Sequence, residues 1–486
     1  MAAGPVSMVD LSTLQPALAL GPLDGRYRRQ TAPLINHLSE AALNRMRLHV
    51  EVEWLLHLTD ARIFAGIEPL DDTERAGLRR IVEDFDGDDI TALAEIEKET
   101  VHDVKAVEYH LKKHLAQVLA GRGEEQVART TELVHFACTS EDVNNLAYAL
   151  MIQGSVQQVW LPAASGVVDQ VAAMARELRD VPLLSRTHGQ TATPSTMGKE
   201  LAVLAHRLGR QVRRIEGAEY LGKINGATGT YGAHVVAVPG ADWPELSRTF
   251  VEHLGLTWNP LTTQIESHDW QAEVYADIAR FNRVLHNLCT DVWTYISMAY
   301  FAQVRGQGTV GSSTMPHKVN PIRFENAEAN LEVSNALLDV LGTTLVTSRL
   351  QRDLTDSSMQ RNIGVALGHS LLALDNVRKG LDGLDAAPEQ MAADLEANWE
   401  VLGEPVQSTM RALAAQGVPG MEQPYERLKE LTRGRRVDGD AMREFIRGLG
   451  LPAEDEARLV ALTPATYTGL ASQLVNHLVT PSEAGR

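Results

Sequence analysis

The feature that most constrains this 486-residue chain is a set of long apolar repeats with helical spacing. Steps of three and four residues place apolar side chains on one face of a helix, whereas a strand exposed on one face alternates with a period of two. No comparable run alternates, and the best strand candidate is the short segment Ala233–Val238. The pattern therefore predicts an all-α fold. The four repeats are Val274, Ile278, Phe281, Leu285, Leu288, Val292 and Tyr295; Met197, Leu201, Leu204, Leu208, Val212 and Ile215; Val167, Val171, Met174 and Leu178; and Met359, Ile363, Leu367, Leu371 and Leu374.

Capping residues predict where several helices begin. Ser, Thr, Asp and Asn accept hydrogen bonds from the first backbone amides of a helix, and proline is tolerated at its first position. The predicted caps are Thr193 followed by Pro194, Ser140, Asn320 followed by Pro321, and Asp356.

Weak shifts in composition divide the chain into three predicted helical domains. Residues 1–129 form a smaller N-terminal domain, residues 130–366 a central bundle of long helices, and residues 367–486 a smaller C-terminal domain. The apolar seams are too extensive for an isolated pair of helices, so we expect helices from other subunits to pack against them.

Charge and composition exclude several classes of function. The chain has 63 acidic and 45 basic side chains, a formal net charge of −18, which disfavours binding to nucleic acid or anionic membranes. No stretch approaches the roughly 20 apolar residues that a membrane-spanning helix needs. Two distant cysteines, Cys138 and Cys289, make no disulfide framework and favour a cytoplasmic protein.

Motifs for common cofactors are missing from the sequence. It has no glycine-rich dinucleotide fingerprint and no Walker loop. His253, His268 and His286 are dispersed and are interpreted as surface or packing residues rather than metal ligands. We therefore expect no cofactor and no catalytic metal.

The most informative segment is the loop Gly311–Pro321, which reads GSSTMPHKVNP. If Asn320 caps the following helix, Lys318 stands just before a helix N-terminus. A cation beside unpaired backbone amides is a site for a carboxylate whose charge grows during a reaction.

This loop resembles the signature of the fumarase/aspartase superfamily, whose members eliminate fumarate from a substituted succinate. Further motifs narrow the resemblance to the longer, bacterial type of the adenylosuccinate lyase family, over roughly residues 20 to 470. It implies elimination of fumarate from a nucleotide substrate by general acid–base catalysis, without cofactor, in a homotetramer with shared active sites. The motifs are Asp24–Tyr27, His102–Tyr109, His135–Asp142, Ser185–Gln190, Thr262–Glu266 and Gln351–Ser357.

The resemblance assigns the proton transfers to two residues. His188 matches the general acid, and imidazole suits that task because its ordinary pKa lies near neutrality. Ser312 matches the base, which needs local stabilisation of its alkoxide, here by Lys318 and the loop amides. Ser313 is expected to hold a substrate carboxylate, and Glu325 to orient His188 or to be a plain exposed glutamate.

Substrate binding is distributed over many residues. Relatives place a polar residue, often Asn, before the His-Asp pair, whereas this chain has Val101. If the relatives bind substrate through that polar side chain, this chain lacks one hydrogen bond to the substrate, worth about 1 kcal/mol. The phosphate and ribose of the substrate are expected to contact Arg26, Tyr27, His102, Asp103, Arg352, Ser357, Ser358 and Arg361. The substrate carboxylates are expected to contact Thr139 and Ser140. Further hydrogen bonds from neutral side chains are expected from Gln264, Asn320 and Asn326.

Three other interpretations remain at this point. Argininosuccinate lyase and fumarase share the signature loop, but their substrates carry no phosphate, for which this chain offers several cationic side chains. A non-catalytic helical scaffold predicts loss of the reacting groups, yet His188, Ser312 and Lys318 are all present.

Overall fold

The computed structural model describes residues 19–303, 315, 319–427 and 437–484. Contacts within the chain divide it into two compact units. The first contains the described residues within Met1–Ala164, Gln211–Arg283 and Ala329–Asp375, and the second those within Ser165–Arg210, Val284–Glu328 and Asn376–Arg486.

Helices dominate both units. The longest is a 29-residue helix that carries the first of the predicted apolar repeats. No described helix is long and apolar enough to cross a membrane. The helices are α1 Arg28–Thr31, α2 Ile35–Leu38, α3 Glu40–Asp60, α4 Asp72–Glu83, α5 Gly87–Thr100, α6 Asp103–Val118, α7 Glu124–Thr131, α8 Ser140–Ser155, α9 Leu161–Glu177, α10 Met197–Glu216, α11 Gly232–Ala237, α12 Trp243–His253, α13 Asp269–Ser297, α14 Ile322–Leu345, α15 Thr355–Gln360, α16 Ile363–Leu381, α17 Pro388–Glu396, α18 Gly403–Ala415, α19 Gly439–Arg447, α20 Ala453–Val460, α21 Ala471–Leu474 and α22 Pro481–Ala484.

The described strands are two or three residues long and form four two-stranded pairs. Three pairs are antiparallel (β1 with β4, β2 with β3, β7 with β8), and β5 pairs with β6 in parallel. None is long enough to organise a core, so the all-α prediction is confirmed. The strands are β1 Pro182–Leu183, β2 Arg186–Thr187, β3 Gln190–Thr191, β4 Ser195–Thr196, β5 Leu221–Gly222, β6 Thr257–Trp258, β7 Phe301–Gln303 and β8 Leu384–Ala386.

The strand predicted at Ala233–Val238 is wrong, because these residues form most of helix α11. His234 is fully buried and packs its ring against Trp243 at a centroid distance of 4.7 Å, whereas Val235 and Val236 are exposed. The valines therefore supply no sheet face, and packing of the histidine decides the local conformation.

Two predicted helix starts are displaced by one or more residues, which is the usual uncertainty for helix boundaries. Helix α8 is capped by Thr139, and Ser140 is its first helical residue. Helix α14 begins at Ile322 rather than Pro321, whose carbonyl already accepts the Glu325 amide at 3.3 Å.

Two other starts are wrong for a structural reason. The residues after Thr193 and Pro194 form strand β4, so helix α10 begins only at Met197. Asp356 does not cap a helix, because it lies inside α15 and the Oδ1 atom of Asp353 accepts the Thr355 amide at 2.8 Å instead. Helices α15 and α16 together carry the repeat that was predicted as one seam.

In the first unit, α3 packs against α8 and carries several buried charged side chains among its apolar ones. A buried polar network also connects α13, α14 and α16. Asn282 donates to Ser334 at 3.2 Å and accepts from Ser370 at 2.8 Å, and Ser370 accepts from the Trp160 indole at 2.8 Å. Such fully satisfied groups fix the register of long helices whose apolar faces alone are permissive.

In the second unit, the residues after α17 have a hydrophobic cluster of their own. Its members come from α18, α19, α20 and the connecting segments, and its largest side chain is Trp399. This cluster is compatible with the smaller C-terminal domain predicted from the sequence, and the three-domain division stays a prediction.

Candidate active site

The predicted site residues fall in both units, and each unit is described by itself. Ser312, Ser313 and Lys318 lie outside the described residues. The first unit contains Arg26, Tyr27, His102, Asp103, Thr139, Ser140, Gln264, Arg352, Ser357, Ser358 and Arg361; the second contains His188, Asn320, Glu325 and Asn326.

The start of α8, which carries Thr139 and Ser140, is anchored by a fully buried ion pair. The Asp142 carboxylate lies 2.8 Å from the Lys223 ammonium, and neither side chain has measurable exposure. The same carboxylate accepts the backbone amides of Asn225 at 2.9 Å and Thr139 at 2.9 Å. A buried charge is stable only when it is paired and hydrogen-bonded, so this helix start is rigid.

His135 adds a second anchor just before α8. Its backbone is left-handed, with φ of 60°, and its Nδ1 atom lies 2.5 Å from a carboxylate oxygen of the buried Glu51. Burial is the largest single effect and opposes protonation of this imidazole, but the hydrogen bond to Glu51 and the surrounding carboxylates together outweigh it and raise the pKa of His135. The segment that leads to Thr139 is therefore held by a charge-assisted contact.

His102 lies at the start of α6, where it serves as the N-cap. Its Nδ1 atom accepts the Lys105 amide at 3.1 Å, and its Nε2 atom lies 3.5 Å from the Ser140 hydroxyl. About half of the His102 side chain is exposed. The structure thus brings two predicted binding residues from different helices together with polar atoms still accessible.

Asp103 connects this helix start to two arginines. Its Oδ2 atom accepts from Arg47 at 2.8 Å and from Arg361 at 3.4 Å. Burial disfavours the charged carboxylate, but Arg47 and Arg361 lower the pKa of Asp103 below its ordinary value. Arg361 also donates to the Ser357 hydroxyl at 2.8 Å and to Glu40.

Arg352 is connected to Arg47 through two intervening side chains. It lies 2.9 Å from Glu141, which accepts from Asn144 at 2.8 Å, and Asn144 in turn accepts from Arg47 at 2.9 Å. We call Arg47, Asp103, Glu141, Asn144, Arg352 and Arg361 the arginine network.

Sequence reasoning missed Arg47, Glu141 and Asn144 as parts of the site. Arg47 lies among alternating polar and apolar residues of α3, with 2% of its side chain exposed. A buried arginine in a helix is a signal of a paired charge, but its partners in the network, Asp103 and Asn144, lie 56 and 97 residues away in the chain. Only the fold identifies them.

His268, interpreted from the sequence as a surface or packing residue, is a buried residue that lies close to a carboxylate. It has a φ of 61°, and its Nε2 atom lies 3.6 Å from Asp356. Asp356 in turn lies 3.7 Å from Arg352. His268 therefore supports the carboxylate that faces one of the predicted binding arginines.

The remaining predicted residues of the first unit lie in local contacts. The Gln264 amide donates to the Ala227 carbonyl at 2.9 Å, and the Arg26 guanidinium lies 5.8 Å from the centre of the Tyr27 ring. The Ser358 carbonyl accepts from Asn362 at 3.1 Å.

In the second unit, His188 occupies the tip of a short hairpin formed by β2 and β3. The hairpin loop has two residues, His188 with φ of 53° and Gly189 with φ of 75°. Positive φ at both positions is the signature of a tight type I′ turn, which favours glycine at the second position. The turn leaves the His188 side chain exposed.

The base of this hairpin is fixed by Arg186. Its guanidinium lies 2.6 Å from Asp394 and donates to the Tyr300 hydroxyl at 3.2 Å. Tyr300 also donates to Asp394. Tyr300 and Asp394 therefore hold one strand of the hairpin through Arg186, which lies two residues before the tip.

The start of α14 carries the other predicted residues of this unit. Asn320 is exposed, and Glu325 accepts from the Trp293 indole at 3.2 Å. Asn326 accepts from Asn376 at 2.9 Å. The predicted contact of Glu325 with His188 stays a prediction.

These arrangements differ in what they offer chemically. The first unit presents cations, hydroxyls and an imidazole with fixed positions, which suits a phosphorylated, carboxylated ligand. The second presents an exposed imidazole, the side chain that most often serves in general acid–base catalysis.

Comparison with known proteins agrees with this chemistry. A family described as "Lyase" matches residues 25–334, and one described as "Adenylosuccinate lyase C-terminal" matches residues 348–468. Adenylosuccinate lyases of Haemophilus influenzae and Escherichia coli are each 47% identical over 470 residues, which cover 97% of this chain and 100% of each relative.

Solved structures resemble the fold. A fumarate lyase from Mesorhizobium superposes with a TM-score of 0.71 at 19% identity, and a 3-carboxy-cis,cis-muconate lactonizing enzyme from Pseudomonas putida with 0.68 at 20%. Each likeness covers 93% of this chain and 98% of the other.

Proposed function

This chain belongs to the adenylosuccinate lyase family of the fumarase/aspartase superfamily, and we propose on that premise that His188 and Ser312 perform its proton transfers. It is a carbon–nitrogen lyase that eliminates fumarate from adenylosuccinate, which leaves AMP, and from the succinyl-carboxamide ribotide of purine biosynthesis. The observation that carries this function is the match over nearly the whole length of chain and relatives.

The elimination divides into balanced steps. Ser312 removes the proton from the carbon next to one carboxylate, and that carboxylate takes up the electron pair. The pair then forms the carbon–carbon double bond of fumarate while the carbon–nitrogen bond breaks. His188 gives its proton to the departing nitrogen. Lys318 and the loop amides stabilise the negative charge on the carboxylate.

The arginine network is the binding side of this proposal. Arg361 and Arg352 hold the phosphate and ribose, together with His102, Ser357, Arg26 and Tyr27. Each of these two arginines is held by carboxylates, so its guanidinium has a fixed direction before substrate arrives. Preorganised donors of this kind lower the entropic cost of binding. Thr139 and Ser140 bind the fumaryl carboxylates at the anchored start of α8.

A turnover assay tests the function. The purified protein is mixed with adenylosuccinate, and formation of AMP and fumarate is followed by absorbance. We expect turnover with adenylosuccinate and none with argininosuccinate or malate, because neither carries the phosphate that the arginines bind. Turnover of argininosuccinate or malate with no reaction of adenylosuccinate would overturn the proposal.

The enzyme is a cytoplasmic homotetramer whose active sites combine loops from different subunits. The apolar helical seams and the exposed His188 tip support this, because a proton donor needs a closed environment that one exposed turn does not provide. Light scattering measures the mass, and a fully active monomer would contradict the assembly.

Mixing the H188A and S312A variants should restore part of the activity, because some hybrid sites keep both groups. Without any recovery, the shared-site geometry is wrong while the chemistry stands.

Turnover needs no cofactor or metal, because acid–base elimination is complete with protein side chains. Treatment with EDTA should leave kcat unchanged. Loss of turnover that one divalent metal restores would count against this part of the proposal.

A further inference from the structure

Three side chains with metal-ligand chemistry meet between α5 and α6 in the first unit. They are Asp89, His110 and His114, and one potential ligand atom from each lies within 4.8 Å of the others. His110 and His114 are four residues apart, which places both on one face of α6. Asp89 comes from the neighbouring helix α5. The His-x3-His spacing is visible in the sequence, but the third member is identified only by the packing of the two helices.

His110 is buried and poorly paired. Only 2% of its side chain is exposed, and its Nε2 atom lies 3.3 Å from Asp89. Among the described residues no well-directed hydrogen bond satisfies this nitrogen. A buried polar atom without a partner costs free energy, and a bound ion is one way to remove that cost.

His114 is oriented by its other ring nitrogen. Its Nδ1 atom lies 2.9 Å from the His110 carbonyl. A carbonyl only accepts, so Nδ1 carries the hydrogen and Nε2 keeps a lone pair for a ligand. A backbone carbonyl that fixes the tautomer of a histidine is the usual second partner of a metal-binding imidazole. The two rings lie 4.4 Å apart between centroids.

Asp89 divides its two oxygens between two tasks. Its Oδ2 atom accepts the Asp86 amide at 3.1 Å as part of the capping box of α5. Its Oδ1 atom faces His110. The helix cap therefore holds the carboxylate in place while one oxygen remains directed at the two imidazoles.

We propose that Asp89, His110 and His114 bind one divalent transition-metal ion of the zinc class. Two imidazoles and one carboxylate suit zinc and its neighbours, whereas calcium and magnesium require oxygen ligands. Three protein ligands leave a fourth tetrahedral position for water. The ion joins α5 to α6, the helix whose first turn carries His102 and Asp103, so it stabilises the scaffold of the binding residues and takes no part in the elimination.

Titration of the metal-stripped protein with Zn²⁺ tests the site. We expect one ion per chain at equimolar concentration, an increase in melting temperature on binding, and loss of both in H114A and D89N. H206A is the matched control, because His206 is an exposed histidine on α10, and it should bind as the unmodified chain does. Binding that survives in both H114A and D89N, or no binding at equimolar metal, would overturn the proposal.

Cobalt gives an independent readout of the ligands. Co²⁺ in a tetrahedral site with nitrogen and oxygen ligands has intense visible absorption bands, which octahedral surface-bound Co²⁺ lacks. The bands should appear with the unmodified chain and with H206A and be absent in H114A. Circular dichroism of H114A checks that the helices are intact, so that loss of the bands reports the ligand and not the fold. Equal bands in H114A and the unmodified chain would contradict the assignment.

Discussion

The arginine network of the first unit and the His188 hairpin of the second hold their functional side chains in opposite ways. Arg47 is almost completely buried, and its guanidinium contacts Asn44, Asp103 and Asn144. His188 is exposed at the tip of a two-residue turn, and the contacts of Arg186 fix only the base of that turn.

The difference fits the two tasks that we propose for these regions, substrate binding and proton transfer. Binding a phosphorylated substrate needs cations whose directions are set beforehand, and buried ion pairs provide that. Proton transfer needs a group that reaches the ligand and changes its charge, which a fully paired side chain does poorly. We therefore expect substitutions in the network to affect folding and substrate affinity, and substitutions at the hairpin tip to affect turnover.

The largest effect should come from His188→Ala. We expect kcat to fall by at least about 10²-fold, the usual scale for loss of one positioned proton donor, with KM changed much less. Steady-state kinetics measure both, and His206→Ala is the control. Because the two groups serve one elimination, the double variant with Ser312→Ala should lose less than the product of the single losses. Near-normal kcat in His188→Ala would refute the assignment.

Arg47→Met should show the next largest effect, on folding. It removes the partner of Asp103 and Asn144 and leaves a partly buried carboxylate without its main cation, at a cost of about 3 kcal/mol. Urea unfolding measures the change. Arg214→Met breaks the more exposed pair with Asp277 and should leave stability almost unchanged. Equal loss in both variants would mean that burial of the network contributes nothing.

His135 makes the first unit sensitive to pH. Its pKa is raised in the folded state, so its contribution to stability is complete below the ordinary value of 6.5 and is lost as the pH rises through the folded value. The contribution of His135 to the unfolding free energy should therefore decrease from pH 6 upward, while other histidines of this unit, whose pKa values are lowered by burial, contribute with the opposite sign. Asn in place of His135 tolerates the left-handed backbone but does not titrate, so His135→Asn should remove this contribution. If the unfolding free energy of His135→Asn depends on pH as that of the unmodified chain does, groups other than His135 cause the dependence.

The smallest effect concerns Val101, which lies before the His-Asp pair. It has a φ of 51° and is 88% exposed, a conformation that is strained for a β-branched residue and that Asn adopts readily. Val101→Asn should stabilise the protein by about 1 kcal/mol. Val236, similarly exposed but in the helical α11, should gain nothing from the same substitution. Destabilisation by Val101→Asn would show that the valine is held by packing.

Features that depend on neighbouring residues could be predicted from the sequence, whereas contacts between distant residues could not. Helical periodicity located long helices such as α10 and α13, because burying one face requires that spacing. Family motifs predict functional roles for His188 and Arg361, and these stay predictions. Helix starts near Thr193 and Asp356 were misplaced, because pairing of Ser195–Thr196 with β1 and the Asp353 side chain decided them. Arg47 could not be assigned to the site, since Asp103 and Asn144, which connect it to the predicted residues, are distant in the chain.

The division between binding and proton transfer is tested most directly by titrating adenylosuccinate into inactive variants. In the His188→Ala background turnover is slower by at least about 10²-fold, so calorimetry reports the Kd of adenylosuccinate before much of it is consumed. Addition of Arg361→Met should weaken binding by about 10- to 100-fold, the scale for hydrogen bonds to a charged group, whereas addition of Arg214→Met should not. Equal Kd values in the presence and absence of Arg361→Met would contradict the account.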